Sequence, residues 1–133
     1  MMNEFMLLIR NEGDAKAGMS ADEHQRFLKA CQSYIEGLTT AGKLKSAQPL
    51  MREGKMVSGA VGAFKKGPFA EGTEMIVGYY HILAKDLDEA IAIAKANPEF
   101  AFGVKARIEV RPIKTREATT AYTYPTKKMA EGG

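Results

Sequence analysis

In this 133-residue chain, few side chains could carry chemistry: two histidines, one cysteine and scattered acids and cations. His24 lies three and four positions before Phe27 and Leu28. On a helix that spacing puts its imidazole beside an apolar stripe, where it can take or give a proton. The bland alternative is a half-buried histidine satisfied by a backbone group. Glu71 follows Gly67-Pro68-Phe69. A carboxylate held by such a rigid turn can act as a base or cap the loop by accepting from amides. Arg10, Lys66 and Arg111 are the candidate anion-binding groups. For the two arginines the alternative is a cross-strand salt bridge to Glu109 or Glu4. His81 alternates with Tyr79, as a satisfied core histidine or, with Tyr79, a pocket wall. Cys31 falls in a helical stripe and reads as packing.

Several motifs are missing. The stretch Gly59–Gly67 holds neither GxGxxG nor GxxxxGK[ST], so nucleotide phosphate has no cradle. There is no CxxC, HExxH, acidic calcium loop or GxSxG elbow. The sequence therefore assigns no cofactor and no metal. A net charge of +3, with bases interspersed among acids, argues against a nucleic-acid binder. No apolar run reaches membrane-spanning length, and the start lacks a basic n-region. A single cysteine excludes an internal disulfide and fits a reducing compartment, so a cytoplasmic protein is expected.

The elements that must position these residues follow from pattern. Residues 4–10 are apolar on both alternating sets, Phe5, Leu7 and Ile9 against Met6 and Leu8, as in a central strand covered on both faces. Ser20 to Glu23 form a capping box that opens a helix over 20–41, with Gly42 placed to end it. A strand over 43–52 weakens at Pro49. A Gly- and Ala-rich return segment follows Met56, and the best strand runs over 75–83. Asp86 opens a second capping box and a helix to residue 96, which Asn97-Pro98 stops. Residues 106–113 alternate Ile108, Val110 and Pro112 with Arg107, Glu109 and Arg111. The order β-α-β-(hairpin insert)-β-α-β predicts an α+β, ferredoxin-like fold with two helices on one face of an antiparallel sheet. A second copy is then the simplest cover for the other face, so a homodimer is expected.

Gly67-Pro68-Phe69-Ala70-Glu71, the strand Ile76-Val77-Gly78-Tyr79-Tyr80 and the helix start Asp86-Leu87-Asp88-Glu89-Ala90 resemble the YCII-related family, specifically its DGPF branch. Phe5 to Ile9, Ala41-Gly42 and Ile108 to Ile113 sit where that family has equivalents, so the resemblance spans roughly residues 4–113. It implies a dimeric α/β barrel in which ferredoxin-like protomers pair sheet to sheet. The YCII branch is thought to use a His–Asp pair in a pocket, and relatives with this barrel act on small aromatic or lactone-like compounds. His24 matches the family histidine, whereas Lys66 replaces the Asp of DGPF and Asn97-Pro98 stands where the YCII branch has Asp-Pro. The expected layout is a YCII-like domain over 1–114 and a tail over 115–133.

Two functions follow as expectations. One is a cofactor-free acid–base enzyme acting on a small cyclic or aromatic carboxylated compound. His24 would move the proton, Glu71 or Tyr79 would orient the substrate, and Arg10 or Lys66 would hold its charge, with Arg111 as a further anion-binding group. The pocket would lie between His24 and the turn Gly67, Pro68, Phe69 and Glu71. The other is a non-catalytic dimeric module that binds a small ligand or a regulatory partner.

Overall fold

The computed structural model describes residues 2–12, 17–69, 75–102 and 106–125. In chain order the elements are β1 (Asn3–Asn11), α1 (Ala21–Thr40), β2 (Leu44–Pro49), β3 (Met56–Ala60), β4 (Ala63–Gly67), β5 (Met75–Ala84), α2 (Leu87–Lys95), α3 (Glu99–Phe102) and β6 (Arg107–Pro112). The main sheet is antiparallel in the order β2-β5-β1-β6, which is the ferredoxin-like arrangement. The two strands apolar on both alternating sets, β1 and β5, take its centre.

Register explains the layering. Leu7 pairs with Tyr80 on one side and Val110 on the other, and Phe5 pairs with Ile82 and Pro112. The buried set Phe5, Leu7, Ile9, Tyr80, Ile82 and Ala84 packs with Leu38 of α1 and with Ala90 and Ala94 of α2. Both helices therefore cover the same face, and the Tyr34 hydroxyl ties them by donating to the Ile93 carbonyl at 2.7 Å. The opposite face carries Met6 and Leu8 of β1, Tyr79, His81 and Leu83 of β5, and Glu109 and Arg111 of β6.

Local chemistry sets the helix ends. The Ser20 hydroxyl accepts from the Glu23 amide at 3.1 Å, and the Glu23 carboxylate accepts from the Ser20 amide at 3.2 Å, closing the box. Gly42 takes φ +71°, the left-handed geometry expected just past a helix end. The second box is incomplete. Asp86 caps the Glu89 amide, but the Glu89 carboxylate accepts from the Lys85 amide at 2.9 Å and pairs with Lys43 at 3.2 Å. The backbone bond from Lys85, then Lys43, hold its carboxyl below the ordinary range.

Three regions differ from the sequence reading. The chain does not stay extended or looped after Asn97-Pro98 but starts α3. Asn97 accepts from the Glu99 amide at the start of this helix at 2.9 Å, and Pro98 stands just before its first residue, where a missing N–H is harmless. Strand β2 ends at Pro49, short of Arg52. Strands β3 and β4, by contrast, are the expected hairpin insert and form their own two-stranded sheet, with Val57 opposite Lys66 and a turn at Val61-Gly62. Past β6, residues expected as a tail fold back on themselves: Arg116 bridges Thr123, and the Tyr124 amide donates to the Thr115 carbonyl at 2.9 Å. No helix of the described residues is long and apolar enough to cross a membrane.

Candidate functional site

Of the twenty residues of α1 only Phe27 and Leu38 are buried. Its inner face therefore does not close on the sheet along its whole length. His24, Phe27, Leu28, Cys31, Gln32, Ile35 and Glu36 recur at helical spacing and wall a cavity of about 770 Å³. The facing wall is the end of the sheet: Ile9 and Asn11 of β1, Val77, Gly78 and Tyr80 of β5, and residues 47–52 running out of β2. Backbone geometry shapes this wall. Ile9 pairs with Gly78 and Arg10 with Ile76, leaving Val77 as an extra residue in β5, a bulge that bends the strand. A Cβ on Gly78 would lie 3.2 Å from the Gln48 carbonyl oxygen, so glycine lets β2 approach this closely.

The lining is mainly apolar, but two of its residues, Asn11 and Glu99, are polar and buried, with Asn97 bonded to Glu99. Asn11 is 1% exposed, Asn97 2% and Glu99 9%. Asn11 Nδ2 donates to Glu99 Oε1 at 3.1 Å, while Asn97 Oδ1 accepts from the Glu99 amide. Glu99 is thus gripped by an asparagine on each side. Asn11 Oδ1 and Asn97 Nδ2 are buried with no hydrogen-bond partner. The phenols of Tyr34 and Tyr80 lie beside this cluster, 5.4 Å apart by ring centroid and edge to face. Burial pushes the Tyr80 phenol up to about 12, helped by nearby Cys31 and Glu99. Burial also raises Tyr34 well above its ordinary value. The Asn97 amide is near enough to both to offset part of each rise, without a hydrogen bond of ordinary length to either.

The residues expected from sequence are dispersed. His24 lines the cavity at its mouth and is itself exposed. Arg10 lies on the opposite face of the sheet, where Nη2 pairs with Glu109 Oε1 at 3.0 Å; Arg111 reaches the other oxygen of Glu109 at 3.7 Å. Both arginines thus take the salt-bridge alternative. Tyr79 is on that face too, opposite Leu8, and His81 Nε2 lies 2.8 Å from Glu4 Oε1, which Lys45 also approaches at 3.5 Å. Lys66 is exposed on β4. Gly67, Pro68 and Phe69 are not among the residues lining the cavity; Phe69 packs instead over Gly54, within 2.8 Å of where a Cβ would stand. Glu71 lies outside the described residues. The wall facing His24 is residues 47–52 in place of the Gly67–Phe69 turn, because β3 and β4 carry that turn onto a separate sheet.

A family model describing the YCII-related domain matches residues 3–114. The chain belongs to the YCII-related family. Comparison with curated proteins gives no match. Within the YCII resemblance, the position of the branch's aspartate is Asn97, the cap of α3, and the nearest carboxylate is Glu99, two residues on and on the cavity wall. Sequence reading missed Asn11, Glu99 and Cys31 as wall residues. The signal for Asn11 was present: it continues the buried alternation Phe5, Leu7, Ile9 by one more step. Asn-Pro-Glu also carries the mark of a helix start, a capping side chain followed by proline.

Proposed function

We propose that this YCII-family protein binds a small cyclic or aromatic molecule in the cavity under α1 and acts on it by acid–base chemistry without a cofactor. The observation supporting this is an apolar cavity of ligand size with few polar groups, among them His24, Asn11, Tyr80 and Glu99, the usual anatomy of a small-molecule site. His24 is the proton carrier on this reading. Arg52 is a cation among the described residues of the cavity wall, whereas Arg10, Lys66 and Arg111 do not line it. The Gly-Pro-Phe turn supports a reading within the DGPF branch, with a domain over 1–114 and a tail over 115–133. The apolar residues of the sheet's outer face, Met6, Leu8, Tyr79 and Leu83, are accounted for by sheet-to-sheet pairing in a homodimer. The lone cysteine supports a cytoplasmic setting.

A second reading, a binding module without catalysis, is favoured by one observation: the YCII aspartate position holds Asn97, whose carbonyl oxygen is committed to capping α3. A thermal-shift series with small aromatic carboxylates tests the ligand site. Ligands at millimolar concentration should raise Tm, and His24→Ala should reduce that rise while leaving the unliganded Tm nearly unchanged, since the side chain is exposed. No shift with any compound would reject the site. Binding without turnover would select the second reading.

A further inference from the structure

The buried polar residues of the cavity lining carry an instruction about its ligand. Asn11 lines the cavity, is 1% exposed, and has one half of its amide already used. Its Nδ2 donates to Glu99 Oε1, which fixes the orientation of the amide, because the flipped form would set Oδ1 against a carboxylate oxygen. Oδ1 is then a buried acceptor with no protein partner, and since it is closed to solvent a ligand head reaches it by displacing the wall slightly. A buried acceptor left unmet is costly, and native structures usually meet such groups with water or a ligand. The cavity wall is chiefly apolar, with Ile9, Phe27, Ile35 and Val77 among its lining residues.

We propose that the cavity selects molecules with an apolar body and a hydrogen-bond-donating head, a hydroxyl or an amine, received by Asn11 Oδ1. Glu99 is the positioning residue that holds the Asn11 amide in this sense. The inference rests on the reading of this cavity as the ligand site and adds the class of head group to it. Discrimination arises because a donor head satisfies Oδ1, whereas a head lacking a donor leaves it buried and unmet.

The test is a titration of the purified full chain with benzyl alcohol, benzylamine and benzyl methyl ether, read by NMR chemical-shift perturbation. The three share one apolar body. The ether lacks the donor and is more apolar than the alcohol, so an unselective greasy cavity would prefer it. The expected result is that the alcohol or the amine binds roughly tenfold or more tightly than the ether; which of the two is tighter identifies the head as neutral or cationic. Asn11→Leu, close in shape and apolar, should erase or reverse that ratio with ether binding retained. Glu99→Gln should shrink the ratio, because an amide at 99 no longer dictates the orientation of Asn11. If a variant fails to fold, the wild-type ratio still decides. Ether binding equal to or tighter than both donors would overturn the inference and leave the cavity as a ligand site. No binding by any of the three at millimolar concentration would overturn the ligand-site reading and this inference with it.

Discussion

The space between helices and sheet has two ends built from the same two strands. At one end Phe5, Leu7, Ile82 and Ala84 meet Ala90, Ala94 and Leu38 with little left exposed. Small alanines on α2 let it sit close to β5. At the other end β1 and β5 continue into Ile9, Asn11, Gly78 and Tyr80, and the facing side of α1 encloses a cavity instead of packing. The largest fully buried side chains among the described residues divide accordingly: Leu7 and Ile82 are apolar, while Asn11 and Asn97 are amides, each with one atom unsatisfied. Equal burial with opposite chemistry separates a region of apolar cohesion from one that keeps polar groups in its interior.

The largest expected effect breaks the closed end. Leu7→Ala or Ile82→Ala removes a side chain with no exposure and should cost ~2–5 kcal/mol, through lost transfer energy and the void left behind. Leu28→Ala, on the cavity wall and about half exposed at 53%, should cost under ~1 kcal/mol. Urea denaturation of the three variants measures the contrast. Similar losses at Leu7 and Leu28 would mean that the cavity end packs as tightly as the core.

Next comes the cap at the open end. Asn97→Ala removes the acceptor for the Glu99 amide and should cost ~1–2 kcal/mol, the usual worth of an N-cap. Asn97→Ser keeps a capping oxygen without adding charge beside Glu99 and should retain part of that stability. If Ser destabilises as much as Ala, the cap is not what Asn97 supplies.

The closed end was legible in the sequence because its signals are local and repeated. Alternation in β1, β5 and β6 and the capping side chains Ser20 and Asp86 specify elements, and few chain topologies join them. The open end was legible only in part. His24 was found from its helical spacing, but the wall opposite it depends on a bulge at Val77 and on residues after Pro49 turning toward α1, and neither has a periodic signature. Glu109 drew in both Arg10 and Arg111, a pairing that alternation permits without choosing it over a ligand role. Glu99 escaped notice because a four-residue helix is too short to show a period.

The open end should also respond to alkali. Tyr80 has its phenol raised to about 12 by burial, from 10.0. Between those values the unfolded chain loses its phenolic proton while the folded one keeps it, so unfolding is favoured as pH rises. The contribution of Tyr80 is therefore fully present below pH 10 and lost toward 12. The urea midpoint of the wild type should fall between pH 9 and pH 11, and Tyr80→Phe should fall less. Tyr34, raised in the same sense, keeps part of the slope in that variant. An unchanged slope in Tyr80→Phe would assign the alkaline loss to other groups.

The smallest expected effect lies outside both ends, on the sheet's outer face. Arg10 and Glu109 are about a third exposed, at 30% and 35%, and Arg111 stands 3.7 Å from the same carboxylate, ready to take over if Arg10 is removed. Exposed pairs of this kind contribute ~0.2–1 kcal/mol, so Arg10→Ala should lose no more than that in dilute protein. In 1 M salt, where screening reaches ~3 Å, the difference should nearly vanish. Ligand binding in the cavity should not change, since Arg10 sits across the sheet from it; loss of binding in Arg10→Ala would move the site to the outer face. Protein concentration sharpens the comparison further. If two copies pair through this face, the ion pair is desolvated in the dimer, and removing one partner strands a buried Glu109 with only Arg111. The stability cost of Arg10→Ala should then grow from micromolar to submillimolar protein. A cost independent of concentration would place Arg10 outside any contact between copies.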